Sequence, residues 1–152
     1  MENEKTIDVL NTLITINNDR IEGYKTASEE TEEMELKSLF AGFISTSEKC
    51  KSALVAEVNK LGGEVADGTK ISGKFFRVWM DVKAALTGKD RKAILNSCKF
   101  GEEEAKETYK SALEENLEYL TSEHQNMISA QKELLKADRK HIKALRAEFA
   151  DS

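Results

Sequence analysis

Apolar residues recur every three or four positions along four long stretches of this chain, the spacing that lines one face of an α-helix. The first stretch predicts a helix from about Thr6, a candidate N-cap, to Ser28, with Ile7, Leu10, Ile14, Asn17, Ile21 and Tyr24 along one seam. A second begins after Thr31, where Glu32 and Glu33 suit the positive end of a helix dipole. It carries Leu36, Phe40, Phe43, Ser47, Cys50, Leu54, Val58 and Leu61 until Gly62 and Gly63 stop it. The third starts near Asp90 and turns Ile94, Cys98, Ala105, Tyr109 and Ala112 inward. The fourth starts near Thr121 or Ser122, where Ser122 and Gln125 have capping-box spacing, and its seam is Ile128, Gln131, Leu135, Asp138, Ile142, Leu145 and Phe149. One position breaks the third stripe: between Cys98 and Ala105 the seam residue is Glu102.

Short loops join helices one and two, and helices three and four, which forces two antiparallel hairpins. The middle connection, Gly62 to Lys89, is long enough to travel the length of a helix, roughly 40 Å at 1.5 Å per residue. Within it Phe75, Val78, Trp79, Val82 and Leu86 have helical spacing and predict a short amphipathic helix. A long crossover suits helices two and three running the same way, so the expected fold is a single all-α domain over residues 1–152, a four-helix bundle of the ferritin-like arrangement. A repeat agrees with two equivalent hairpins: YKTASEE from Tyr24 matches YKSALEE from Tyr109 at five positions, pairing Glu102 with Asn17.

Composition strengthens this reading. The 152 residues contain no proline, are 39% apolar and 34% charged, and favour Glu, Lys, Leu and Ala, the makings of long unbroken helices. The start, MENEKTIDVLNTL, is acidic where a signal peptide would be basic, and no run approaches the ~18 apolar residues of a membrane span. A cytoplasmic protein without membrane contact is expected. The net charge of −5 argues against nucleic acid as a partner. Lys132, Lys136, Arg139, Lys140, Lys143 and Arg146 make the last helix locally basic, which complements the dipole at its C-terminus. Cys50 and Cys98 lie on apolar stripes as small hydrophobes, in neither a CxxC nor a zinc spacing. The parallel second and third helices separate them by about eight helical rises, ~12 Å, beyond disulfide reach.

Counting rises along such a bundle brings Asn17, Ser47, Glu102 and Asp138 to one height, one polar seam residue per helix. In ferritin-like di-iron proteins carboxylates and Glu-x-x-His pairs converge on metal at this level. Here the ligand set would be Glu102, Asp138 and His141, with a carboxylate from Glu22 or Glu48, short of the six such a centre uses. Lys51 follows Glu48 where an imidazole would be needed. The competing reading is a layer kept for helix register. Two buried carboxylates must then share a proton or meet a cation or hydrogen-bond donors, of which Asn17, Ser47, Gln131, Tyr24 and Tyr109 are available. On that reading no cofactor is required, iron or another divalent metal being the alternative, and Glu102→Gln is close to neutral.

Other chemistry is sparse. His124, in the first turn of the fourth helix beside Glu123, reads as a solvated residue. No histidine stands near a serine or cysteine in a nucleophile pattern, and the glycines of LGGEVADGTKISG lack the flanking strand and Lys-Ser or Lys-Thr of a phosphate loop. Gly23, Gly42 and Gly101 fall inside helices, each at a cost of up to about 1 kcal/mol relative to Ala, for which close helix approach is the expected reason. Trp79, Phe75 and Phe76 cannot all face inward from one short helix, so an exposed aromatic at a contact between copies of the chain is expected.

The segment FRVWMDVKAALTG and the Gly101-Glu102 pair, together with ELKSLF, LGG and IKALR, resemble an uncharacterised bacterial family of ferritin-like four-helix-bundle proteins known by its domain of unknown function. The resemblance spans nearly the whole chain. It implies a ferritin-like bundle with a long crossover in a bacterial cytoplasm, and no established activity. Phe76 stands where relatives are expected to carry a histidine, and Arg139 near another such place, so the resemblance itself implies a weaker metal site. The leading expectation is a non-enzymatic bundle, a scaffold or oligomer in stress physiology. The alternative is a metal-binding or di-iron oxidase-type protein.

Overall fold

The computed structural model describes residues 2–66 and 91–150. Among these, four long α-helices carry the fold: α1 (Glu2–Glu30), α2 (Met34–Lys60), α3 (Arg91–Glu115) and α4 (Ser122–Ala150), with a 3₁₀ turn at Leu117–Tyr119 between α3 and α4. No strand occurs among the described residues. No described helix is long and apolar enough to cross a membrane. The start of α1 lies a turn earlier than the sequence predicts. Thr6 is therefore inside the helix, and its hydroxyl donates to the Tyr119 carbonyl in the α3–α4 connection instead of capping.

Contacts between helices fix their directions. Passing along α1, Thr6 meets Tyr119, Asn17 meets Tyr109 and Arg20 meets Glu102, so α3 runs against α1. Asn11 bonds Glu64 and Arg20 bonds Ser47, so α2 also runs against α1. Likewise His124 reaches Glu57 and Gln131 reaches Cys50, setting α4 against α2. Thus α1 and α4 point one way, and α2 and α3 the other. The helix expected around Phe75 to Leu86, with its aromatics, lies outside the described residues.

The buried side of α2 is the expected seam, Leu36, Phe40, Phe43, Ser47, Cys50, Leu54 and Val58. Two apolar clusters fill the interior. Leu10, Leu13, Ile14, Leu54, Val58, Ala105 and Ile128 belong to one, and Tyr24, Leu36, Phe40, Phe43, Leu95, Cys98 and Ile142 to the other. Each fully buried Leu or Ile contributes about 1.5–3 kcal/mol. Tyr24 packs its ring 5.0 Å from Phe43 and 5.4 Å from Phe40.

Helix ends show why the chain turns where it does. Gly62 takes φ +79°, its N–H donates to the Asn59 carbonyl, and the Gly63 N–H donates to the Val58 carbonyl, a Schellman stop. The Asn11 side chain then holds the exit by donating to the Glu64 carbonyl and accepting from the Ala66 N–H. A Cβ on Gly63 would lie 2.8 Å from two carbons of the β-branched Ile7. Gly63→Ala is therefore expected to destabilise by about 1–3 kcal/mol, read as a lower urea midpoint. Gly42 is different: it is exposed and its Cβ direction is open, so close helix approach does not explain it.

The α4 N-terminus corrects the reading of His124. Thr121, one residue before the expected pair, is the cap. Its Oγ1 accepts from the His124 N–H at 3.1 Å while its own N–H donates to His124 Nδ1 at 3.2 Å, a capping box closed by an imidazole. His124 is buried, not solvated. Because Nδ1 accepts, the proton of the neutral ring is on Nε2, which donates to Glu57 Oε1 at 2.8 Å and ties α4 to α2.

Candidate functional site

Midway along α1 the seam follows alternating three- and four-residue steps through Leu10, Leu13, Asn17, Arg20, Tyr24 and Ala27, all buried. This register places Arg20 at the centre of the interior with no exposed surface. All five guanidinium N–H groups find acceptors. Nε and Nη2 donate to Glu102 Oε1 at 3.2 and 2.8 Å, and Nη2 also donates to Asp138 Oδ2 at 3.1 Å. Nη1 donates to Ser47 Oγ and, at 3.5 Å, to the Phe43 carbonyl. Arg20 thus joins all four helices. Tyr24 closes the layer from above, its hydroxyl donating to Glu102 Oε1 and its ring lying 5.5 Å from the guanidinium carbon.

One turn away a second, neutral layer spans the same four helices. Asn17 Nδ2 donates to Tyr109 Oη at 2.8 Å, Tyr109 donates to Gln131 Oε1 at 2.7 Å, and Gln131 Nε2 donates to the Cys50 carbonyl at 3.2 Å. Asn17 also donates to the Leu13 carbonyl, so it is bound within its own helix as well. Cys50 and Cys98, beside these layers, are free and buried.

Of the four residues assigned to one layer, the structure brings Ser47, Glu102 and Asp138 onto one guanidinium and puts Asn17 in the neighbouring layer. Of the donors expected to satisfy Glu102, Tyr24 does so. Ser47 serves Arg20 instead, and Asn17, Tyr109 and Gln131 serve one another. Of the candidate metal ligands, Glu102 and Asp138 meet on Arg20, whereas Glu22, Glu48 and His141 are exposed, and the His141 ring stands edge-on to Phe43 at 6.4 Å. Among the described residues no group of three or more His, Cys, Asp or Glu side chains could hold a metal ion.

Charge follows the geometry. Burial alone would push the Arg20 guanidinium down, but Glu102 first, and then Asp138, hold it above its ordinary value, so it is a permanent cation. Asp138 is raised by burial, with Arg20 pulling the other way and Glu102 adding to the rise. Burial, then the Glu102 charge, keeps both the Tyr24 phenol and the Cys98 thiol neutral. The layer therefore sets one cation against two carboxylates, and Glu102 Oε2 is buried without a hydrogen-bond partner.

A family model matches residues 5–115, from the first turns of α1 to the end of α3. The chain belongs to the DUF2383 family, described as a domain of unknown function. No curated protein matches the chain. The part matched to DUF2383 contains Arg20, Tyr24, Ser47 and Glu102, whereas Asp138 and Gln131 of α4 lie beyond it.

Next to Arg20, Asp19 is buried with its Oδ2 unpartnered, and burial raises it from 3.8 to about 6. The folded protein then holds a proton between about pH 4 and 6 that the unfolded chain has released, so stability falls as pH rises through that window. Asp19→Asn is expected to leave stability unchanged near pH 4 and to raise it by about 1–3 kcal/mol above pH 6, measured by urea unfolding across that range.

Proposed function

We propose that this protein is a non-enzymatic four-helix bundle of ferritin-like arrangement, a scaffold of the bacterial cytoplasm in which a buried arginine stands where ferritin-like relatives hold metal. The ferritin-like part of the reading draws support from the directions of the helices, with α2 parallel to α3. The observation that carries the non-enzymatic part is the Arg20 guanidinium, whose Nη2 lies 2.8 Å from Glu102 and 3.1 Å from Asp138, the two acids a metal would need. A fixed cation already compensates them, and a metal ion placed between them would meet like charge. A di-iron centre of the usual kind wants carboxylates from all four helices and two histidines. Here α1 gives Arg20 to the layer and α2 gives Ser47, so the residues do not fit that group. The whole arginine layer comes from one chain, so this reading needs no second copy to complete it.

Metal content tests the proposal. Protein purified from cells supplemented with iron and zinc is expected to carry far less than one metal per chain. Stoichiometric metal that disappears in Glu102→Ala would overturn the reading in favour of the metal-binding one.

A further inference from the structure

Beside the arginine layer, a groove of about 280 Å³ opens between α3 and α4. Glu102, Lys106, Tyr109 and Leu135 line it, with Lys132, Lys136 and Arg139 on the α4 side. Glu102 is 2% exposed, and while its Oε1 accepts from Arg20 and Tyr24, its Oε2 accepts nothing. A buried carboxylate oxygen without a donor is costly, and the layer behind it is short of one positive charge, with Arg20 alone facing Glu102 and Asp138. The α4 residues around the groove carry the opposite charge, three cations against one acid, Glu133, and of these Arg139 also donates to Glu103 of α3 at 3.4 Å, which leaves Lys132 and Lys136 as the open pair. We propose that the groove between α3 and α4 binds a small zwitterion of amino-acid size, its ammonium on Glu102 Oε2 and its acidic group on Lys132, Lys136 and Arg139.

Each part of that ligand answers one part of the groove. A protonated amine supplies both the missing donor and the missing charge, which a hydroxyl would only half supply. The acidic group meets ammonium and guanidinium donors, and a short methylene spacer lies against Leu135 and the Tyr109 ring. The volume, below that of most drug-sized pockets, selects a compact molecule.

The test is calorimetric titration at pH 7, with EDTA present so that the result stays separate from the metal test, using ω-amino acids from glycine to 6-aminohexanoate. For 4-aminobutyrate the matched halves are butyrate and butylammonium. At least one zwitterion is expected to bind about tenfold or more tightly than either of its halves. The double variant Lys132→Ala/Lys136→Ala is expected to weaken that binding about tenfold while its thermal midpoint stays within a degree or two, since the half-buried Lys132 and the exposed Lys136 are surface charges, which contribute little stability. Failure of the whole series to bind would overturn the proposal, as would butyrate or butylammonium binding as well as the zwitterion. So would finding Lys106, one helical turn from Glu102, paired to Oε2 in a crystal structure.

Discussion

Arg20→Met is expected to cost about 3–5 kcal/mol at pH 7, a large share of the roughly 5–15 kcal/mol that holds a domain folded. Methionine fills the space of the arginine stem but returns none of its five N–H donors. Glu102 Oε1 keeps only the Tyr24 hydroxyl, and Asp138 and Ser47 lose the donors that Arg20 gives them. The layer is then two carboxylates with no cation. As pH falls from 7 to 5 the loss should shrink, because carboxylates buried without a cation take up protons. Arg20→Lys should recover only part of the stability, since three donors on one nitrogen cannot reproduce a planar fork that serves three other helices. Urea unfolding of both variants at pH 7 and pH 5 measures each of these effects. A loss below about 1 kcal/mol for Arg20→Met would show that the layer is not held by its charge.

Glu102→Gln is the second large effect, expected at about 2–3 kcal/mol. The sequence suggests a nearly neutral change, because an amide keeps the shape while removing a buried ionisable group. The buried Arg20 reverses that expectation. The amide oxygen can accept from Arg20 and Tyr24, but it removes the charge closest to the guanidinium and puts a second buried donor where Oε2 was. Asp138 remains to face Arg20, which is why the expected loss is smaller than for removing the cation itself. The measurement is the denaturation midpoint at pH 7.

Much of this structure is legible in the sequence because burial repeats with the helix period. The α2 stripe from Leu36 to Val58 is read correctly residue by residue, and the polar seam positions at Ser47, Glu102 and Asp138 do meet. Arg20 is missed for a physical reason: arginine is rarely fully buried, so a seam drawn through Ile14 and Ile21 looks safer than one through Leu13 and Arg20. The signal is present, since Arg20 sits three residues after Asn17 and four before Tyr24, the alternation of an inward stripe. An acid on the third helix, another on the fourth and an arginine in that register together predict an ion-paired interior. His124 is misread because a histidine at the third position of a helix looks like an exposed first-turn residue. Its use as both cap partner and cross-helix donor depends on Glu57, far away in sequence.

The double-mutant cycle of Arg20→Met and Glu102→Gln, measured by urea unfolding at pH 7, tests the central claim most directly. If the guanidinium is the counter-charge of Glu102, removing both should cost at least about 2 kcal/mol less than the sum of the single losses. Losses that add to within about 0.5 kcal/mol would mean that the two side chains do not depend on each other, and would contradict the account.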